Sequence, residues 1–355
     1  MNRRLDKFIS LLVSDSCGAA ILVCPENIRY LTGYTGEGCV FVDAAGAVII
    51  TDFRYTEQAG RQAPDCVCLM TTLEMDQAAT LADLIASHGC GCVAFEDDRV
   101  TVRQKAAWGK AMPAVDFVPL NGLPETLRMI KDDDEIACIV RASEIACKAI
   151  ENVLSMIRPG VSEREVQLAL DYEMLRSGSE ALAFDTIACA GKNGALPHAT
   201  PSDYRIQNGD FITLDFGAQV NGYKTDMTRT FAVGRPSEEM TRVYETVLEA
   251  QARALDMIAP GVCCRDVDLC AREFIDEKYP GAFGHSLGHS VGLFIHEAPS
   301  FSRRCDTLLQ PGHVLTVEPG IYLPGKFGCR IEDTIVIKED GYIDLITVPR
   351  ELTVL

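Results

Sequence analysis

A chain of 355 residues exceeds what one hydrophobic core usually organises, so two domains are expected. Hydrophobic residues make up 47% and charged residues 24%, which argues against a disordered chain and fits a globular one. The formal net charge of −18 disfavours nucleic acid and anionic membrane surfaces as partners, since both would repel it, and suits a protein that holds multivalent cations.

The opening residues, MNRRLDKFISLLVSDSC, carry two arginines, but their apolar run from Phe8 to Val13 is interrupted by Ser10 and stops before Asp15. That run is too short for a signal peptide, and no stretch reaches the ~18 consecutive apolar residues of a membrane span, so a cytoplasmic location is expected. The fifteen cysteines are scattered, with close pairs only at Cys66/Cys68, Cys90/Cys92 and Cys263/Cys264, and none has zinc-finger spacing. They read as reduced thiols that pack as small hydrophobes in an intracellular protein. Short β-like runs (AAILVC, CVFVD, AVIITD, CVCLM, CVAFED, VDFVPL) then alternate with helical stretches such as 75–88, which predicts a smaller α/β domain over residues 1–124.

After NGLPET the texture changes. From Lys131, apolar residues at 136, 139/140, 146/147, 150, 153/154 and 157, with acids in the first turn and Pro-Gly beyond, predict an amphipathic helix of roughly 25 residues. SEREV opens a second helix with a capping box, Ser162 to Glu165. IRPGVSEREV (157–166) then agrees with IAPGVCCRDV (258–267) at Ile, Pro, Gly, Val, Arg and Val, an offset of 101 residues. QNGDFITLDFG (207–217) and QPGHVLTVEPG (310–320) share a Gln, a Gly, a Thr and an acid at an offset of 103. Two echoes in one order at nearly one offset predict that residues 125–355 form an α+β domain of two similar halves, related by a pseudo-twofold axis.

Each half writes acids into apolar strands. With Asn221-Gly222 as a two-residue turn, Val220 faces Tyr223, Ala218 faces Thr225 and Gly217 faces Asp226. Asp215 and Asp226 are then diagonal cross-strand neighbours, about 7–8 Å apart. A second hairpin, turning near Gly325, sets Glu318 opposite Glu332 or nearly so. Four such carboxylates must be protonated, paired with bases or holding metal, and Lys224 and Arg330 are too few to neutralise them. Two divalent cations would balance the charge; a structural ion-pair network or a calcium site answers to the same acids. Four of the six histidines, His198, His285, His289 and His296, fall in short Gly/Pro-rich segments between the acid-bearing strands, a site-like distribution. Oxygen ligands with a single imidazole suit manganese, cobalt, iron(II) or zinc in a two-metal site.

These segments resemble the creatinase/methionine aminopeptidase superfamily of pita-bread metallopeptidases, and within it the Xaa-Pro peptidases, namely Xaa-Pro dipeptidase (prolidase) and aminopeptidase P. The likeness lies in LDFGAQVNGYKTDMTRTF, GHSVGLFIHEAP, TVEPGIY, CRIEDT and NGALPHA; NIRYLTGY and ITDFRYTEQA look like the smaller creatinase-like N-terminal domain. The resemblance implies that Asp215, Asp226, His289, Glu318 and Glu332 hold two divalent metal ions, manganese first, with cobalt, zinc or iron as alternatives. Asp226 and Glu332 would bridge the ions, Asp215 would hold one, and His289 with Glu318 the other. Glu318 would also serve as general base, His296 and His198 would stabilise the tetrahedral intermediate and the leaving nitrogen, His285 would line the pocket near the proline, and Arg330 would orient the ligands from behind.

The implied activity is hydrolysis of the Xaa-Pro bond at the N-terminus of short proline-containing di- or oligopeptides, by a water that the metals activate. The implied assembly is a homodimer in which the N-terminal domain helps wall the pocket. Ser290 stands where the family commonly has glycine: strained if the position needs positive φ, at ease if it needs only a small side chain. Three alternatives stand beside this reading. Methionine aminopeptidase resembles only the catalytic half; a creatinase-like hydrolase works without metal, and an inactive binding module typically loses ligands, whereas all five are present here.

Overall fold

The apolar runs of the N-terminal stretch pair into a single sheet. In the computed structural model, which describes residues 3–14 and 17–355, the strands of this sheet are β1 (Ala19–Leu22), β2 (Cys39–Asp43), β3 (Gly46–Thr51), β4 (Val67–Met70), β5 (Cys92–Phe95) and β6 (Asp116–Pro119). Their order is β4-β3-β2-β1-β5-β6, antiparallel through β1, β2 and β3 and parallel at β3/β4, β1/β5 and β5/β6. Helices α1 (Arg3–Ser14), α2 (Pro25–Thr32), α3 (Thr56–Gln62), α4 (Gln77–Ser87), α5 (Val102–Ala111) and α6 (Leu123–Arg128) connect and flank it. β1 and β2 are buried along their whole length, which is why they read as continuous apolar runs rather than alternating ones.

The run from Phe8 to Val13 belongs to α1, whose Phe8 and Leu12 share a buried face at i, i+4 spacing. Asp15, which that run stops short of, lies outside the described residues. No helix among the described residues is long and apolar enough to cross a membrane. All fifteen cysteines carry free thiols, buried or half-buried.

The chain divides into two compact units, Met1–Arg128 and Met129–Leu355. The expected boundary at 124/125 falls inside α6, which stays whole in the first unit because Leu127 and Arg128 are buried there and Arg128 Nη1 donates to Asn27 Oδ1 at 2.7 Å.

In the second unit the order of elements repeats. The first half runs α7 (Asp133–Val153), α8 (Glu163–Arg176), β7 (Ile187–Ala190), β8 (Asp210–Phe216), the short hairpin β9 (Gln219–Val220) and β10 (Tyr223–Lys224), then β11 (Met227–Val233). The second runs α9 (Glu238–Met257), α10 (Cys264–Asp276), β12 (Gly288–Ser290), β13 (Glu297–Phe301), β14 (Val314–Val317), the hairpin β15 (Gly320–Leu323) and β16 (Phe327–Arg330), β17 (Asp333–Lys338) and β18 (Gly341–Asp344). Sheet β11-β8-β7 matches the stretch β17-β14-β12 inside β13-β12-β14-β17-β18, so the sequence echoes mark a repeat of topology, with β13 and β18 added to the second copy. Both α7 and α8 open with full capping boxes, at Asp132/Glu135 and Ser162/Glu165. The N-cap of α10 is Cys263, which makes no side-chain cap, so the echo at that point is one of shape and not of capping chemistry.

Each helix pair buries its apolar face on its own sheet: Ile145, Ala149 and Leu170 with Ile212 and Leu214, and Val247 and Ala271 with Leu315 and Ile335. The register expected from Asn221-Gly222 holds, with Val220 opposite Tyr223, Phe216 opposite Met227 and Asp215 opposite Thr228. In the second half Val317 pairs with Asp333 and Gly320 with Arg330, so Glu318 and Glu332 take opposing positions between them.

The halves are stitched at the acids. Glu332 N donates to Thr228 O at 3.0 Å and Thr334 Oγ1 to Asp226 O at 2.7 Å. Arg229 of β11 reaches across, its Nη1 donating to Glu332 O and its Nη2 to Asp333 Oδ1, each at 2.6 Å. That ion pair has side chains only 1% and 0% exposed, and Asp333 Oδ2 also accepts from Gln251 Nε2 at 3.0 Å and Arg350 Nε at 2.5 Å. Removing one partner of such a pair leaves an uncompensated buried charge, so Asp333→Ala is expected to cost about 3–5 kcal/mol in urea denaturation. A loss below about 1 kcal/mol, ordinary for a surface change, would show that the pair does not tie the halves together.

Candidate metal centre

Strand alternation and two glycines bring the acids together. Asp215 sits near the end of β8, Asp226 just ahead of β11, Glu318 just after β14 and Glu332 between β16 and β17. A Cβ at Gly217 would lie 2.0 Å from Thr225 O, and one at Gly288 would lie 2.0 Å from Thr316 O. Only glycine lets the backbones close to this distance, beside Asp215 in one half and His289 in the other.

All nine residues singled out in the sequence line one cavity of about 520 Å³: Asp215, Asp226, Glu318 and Glu332, the histidines His198, His285, His289 and His296, and Arg330. Phe184, Ile187 and Ile295 give it apolar wall. One ligand atom from each of Asp226, His289 and Glu332 lies within 4.8 Å of the others. His289 Nε2 is 3.4 Å from Glu318 Oε1 and 3.6 Å from Asp226 Oδ2. Asp215 stands differently, since Arg330 Nη2 donates to its Oδ2.

Three buried carboxylate oxygens here, Asp215 Oδ1, Asp226 Oδ1 and Glu332 Oε1, have no hydrogen-bond partner. Leaving such an atom unsatisfied costs about 1–3 kcal/mol, more when charged, so their coincidence in one cavity asks for a common partner. The electrostatics agree. Burial, then the neighbouring Glu332, pushes the Asp226 carboxyl well above its usual range; burial, then Glu318, does the same to Glu332. Burial raises Glu318 to about 8, against the pull of Arg330. The imidazoles move the other way: burial and then His296 lower His289 to about 3, burial and then Arg330 lower His285 to about 3, and burial and then His198 lower His296. Crowded acids that cannot all ionise, beside imidazoles that stay neutral, are the donor set a divalent cation satisfies at once.

The surroundings orient the donors. His289 Nδ1 lies 3.2 Å from Ser290 O; a carbonyl has no proton, so Nδ1 carries it and Nε2 turns its lone pair toward Asp226 and Glu318. Thr228 Oγ1 donates to Glu332 Oε2 at 2.6 Å and Thr316 Oγ1 to Glu318 Oε1 at 3.2 Å. His285 donates from Nδ1 to Ser286 O at 2.8 Å and accepts at Nε2 from Tyr322 Oη at 2.9 Å, while Arg330 Nη1 donates to the same Tyr322 oxygen at 2.6 Å. Both nitrogens of His285 are thus engaged within the protein, and it faces the cavity as a ring.

Tyr322, Thr228 and Asp333 were missed in the sequence. Nothing in their local pattern marks them; only the strand register and the fold across halves do. Ser290, the departure from the glycine expected there, is not among the positive-φ positions, so it carries no left-handed strain; it is fully buried, and its hydroxyl donates to Val314 O at 2.6 Å.

Comparison with known proteins agrees with this arrangement. The signature of metallopeptidase family M24 matches residues 137–339, and that of the Creatinase/Prolidase N-terminal domain matches residues 4–130. A Xaa-Pro dipeptidase of Pyrococcus furiosus is 36% identical over 99% of this chain and 100% of its own length. Among solved structures, a Xaa-Pro dipeptidase from Bacillus anthracis superposes with a TM-score of 0.96 at 40% identity, covering 99% of both chains. An X-Pro aminopeptidase from Thermotoga maritima does so with a TM-score of 0.92 at 37% identity, covering 100% of both. The acid-bearing half, the creatinase-like unit ahead of it and this full-length similarity converge on one assignment: the chain belongs to metallopeptidase family M24.

Proposed function

We propose that this chain is a metal-dependent peptidase that cleaves the bond between an N-terminal residue and a following proline. The observation that carries the reading is the meeting, in one cavity, of three partnerless carboxylate oxygens, on Asp215, Asp226 and Glu332, with a neutral imidazole whose Nε2 faces the Asp226 and Glu318 carboxylates. Full-length similarity to proteins named Xaa-Pro dipeptidase and X-Pro aminopeptidase supports the substrate class. The cavity volume of about 520 Å³ suits a dipeptide or the first residues of a longer peptide.

In this reading Asp215, Asp226, His289, Glu318 and Glu332 hold two divalent ions, manganese first. Ions bound there would lower the pKa of a water toward neutrality and polarise the substrate carbonyl. The protein's own groups do the rest. Glu318, whose carboxylate lies beside His289 on the cavity wall, takes the proton of the attacking water and passes it to the leaving nitrogen. His296 and His198, on the cavity wall, donate to the carbonyl oxygen as negative charge develops and to the proline nitrogen as it departs. The ring of His285, with Phe184 and Ile295, supplies apolar surface for the proline, and Arg330 keeps Asp215 directed inward.

Glu318→Ala is expected to lower kcat on Ala-Pro by about 10³-fold or more, since it removes a ligand and the base together; a variant with parental turnover sinks the assignment. Rates on Ala-Pro, Ala-Pro-Ala and Met-Ala peptides separate the dipeptidase, aminopeptidase P and methionine aminopeptidase readings, with the proline peptides expected to be cleaved and Met-Ala spared.

Metal removal has a signature in stability as well as activity. By about pH 7.5 a histidine in the unfolded chain has largely given up its proton, so His285 and His289, which burial holds neutral in the folded protein, no longer differ between the two states, while Glu318 keeps until about 8 a proton that the unfolded chain gives up near 4.5. The folded state then binds more protons than the unfolded one, so metal-free protein should lose stability as pH rises from about 7.5 to about 8.5. Thermal melts in chelator should show this fall, and added manganese should flatten it and restore activity. Equal melting temperatures at the two pH values without metal would mean that the acids are satisfied in some other way.

A further inference from the structure

Lys131 lies just ahead of the N-cap of α7, far in sequence from the histidines, yet its side chain is only 1% exposed and pairs with Glu297, which is 6% exposed. Its Nζ donates to Glu297 Oε2 at 3.0 Å and to Ser290 Oγ at 3.1 Å. These two acceptors face each other at the base of the β12–β13 hairpin, where the register shifts between His289 and Ser290. Ser290 directly follows His289 and Glu297 directly follows His296. One ammonium therefore ties together the residues next to both histidines.

Each tie continues to an imidazole or its loop. Ser290 O accepts the Nδ1 proton of His289 at 3.2 Å, and Ser290 Oγ, held by Lys131, donates to Val314 O at 2.6 Å, so the residue whose carbonyl meets the imidazole is held through its side chain as well. Glu297 Oε1 accepts from Phe294 N at 3.0 Å and so pins the loop that ends in His296. The two rings meet edge to face with centroids 4.3 Å apart. Lys131 itself is anchored, its backbone N donating to Gly312 O at 2.9 Å.

Stability alone is a poor reason for such a pair. Burying a lysine and a glutamate costs several kcal/mol per ion, and well-packed apolar replacements of similar volume are often neutral or stabilising. What an apolar pair cannot reproduce is direction, because it would fill the space without fixing where the Ser290 carbonyl points. Resting on the peptidase reading of the site, we propose that Lys131, bridging Ser290 and Glu297, is a positioning residue that sets the tautomer and aim of His289 and its packing on His296.

The Lys131→Met/Glu297→Met double variant removes both charges at similar volume. It should melt at or above the parental temperature, yet bind manganese about 10–100-fold more weakly by calorimetry on metal-free protein. Its kcat on Ala-Pro should fall about ten-fold or more with KM within about two-fold. The imidazole ¹⁵N–¹H spectrum of the metal-free protein should show His289 no longer held as a single Nδ1–H tautomer. Ser290→Ala, which keeps the ion pair but cuts the bridge, should move the same readouts in the same direction by less, and it decides the matter if the double variant fails to fold. Parental manganese affinity and an unchanged His289 tautomer would overturn the proposal and leave the pair a packing device. A parental chain inactive on every Xaa-Pro peptide would count against the peptidase reading alone, since affinity and tautomer still decide the role of Lys131.

Discussion

Buried carboxylates with too few counter-charges are the constraint on which the rest of this structure depends. Asp215, Asp226, Glu318 and Glu332 converge on one cavity, and only Asp215 has a guanidinium directly on it. No arrangement of neutral side chains makes that comfortable, so the fold around it must be stiff enough to hold groups that would separate if they could. The stiffness comes from repetition. Each half folds a helix pair onto a sheet built on the same three-strand ladder and offers its acids at the same place, and the two sheets are joined where the acids lie, through Thr228, Arg229 and Asp333.

The same region shows a division of labour between charges that look alike in the sequence. Arg229 and Asp333 neutralise each other and hold the halves together, so neither is free for chemistry. Arg330 serves Asp215, Tyr322 and Thr228 at once and thereby couples an acid of the site to His285. Lys131 acts, through Ser290 and Glu297, on the hairpin that carries the imidazoles. In each case the cation sits where a hydrogen bond must have a direction, and charge supplies the strength to hold that direction against neighbouring pulls.

Much of this was legible in the chain. Asn221-Gly222 is so strong a turn signal that it set the register of Asp215 against Asp226, and the paired strands carry it. The echoed Pro-Gly and Gln-x-Gly segments exposed the repeat, because corresponding elements in the two halves meet the same packing and so use related residues. The boundary near 124 was drawn inside α6, since helix-forming residues do not reveal which core will bury Leu127 and Arg128. Tyr322 and Thr228 were invisible for a related reason: a tyrosine or threonine in a strand looks like an ordinary β-former until its hydroxyl is seen against a carboxylate or an imidazole.

Residue type, order and spacing thus determined by themselves the classes of element, the internal repeat and the identity of nine residues that line the cavity, because periodicity, turn chemistry and clustered acids are local properties of the chain. Which oxygens go without a partner, which nitrogen of His289 is bare and which lysine steadies it were decided only by tertiary structure. The first and last depend on contacts between residues about a hundred or more positions apart, such as Thr228 with Glu332 and Lys131 with Ser290, and the second on how the ring of His289 turns onto the carbonyl of the next residue. Spacing along a chain carries no record of distances that only packing creates.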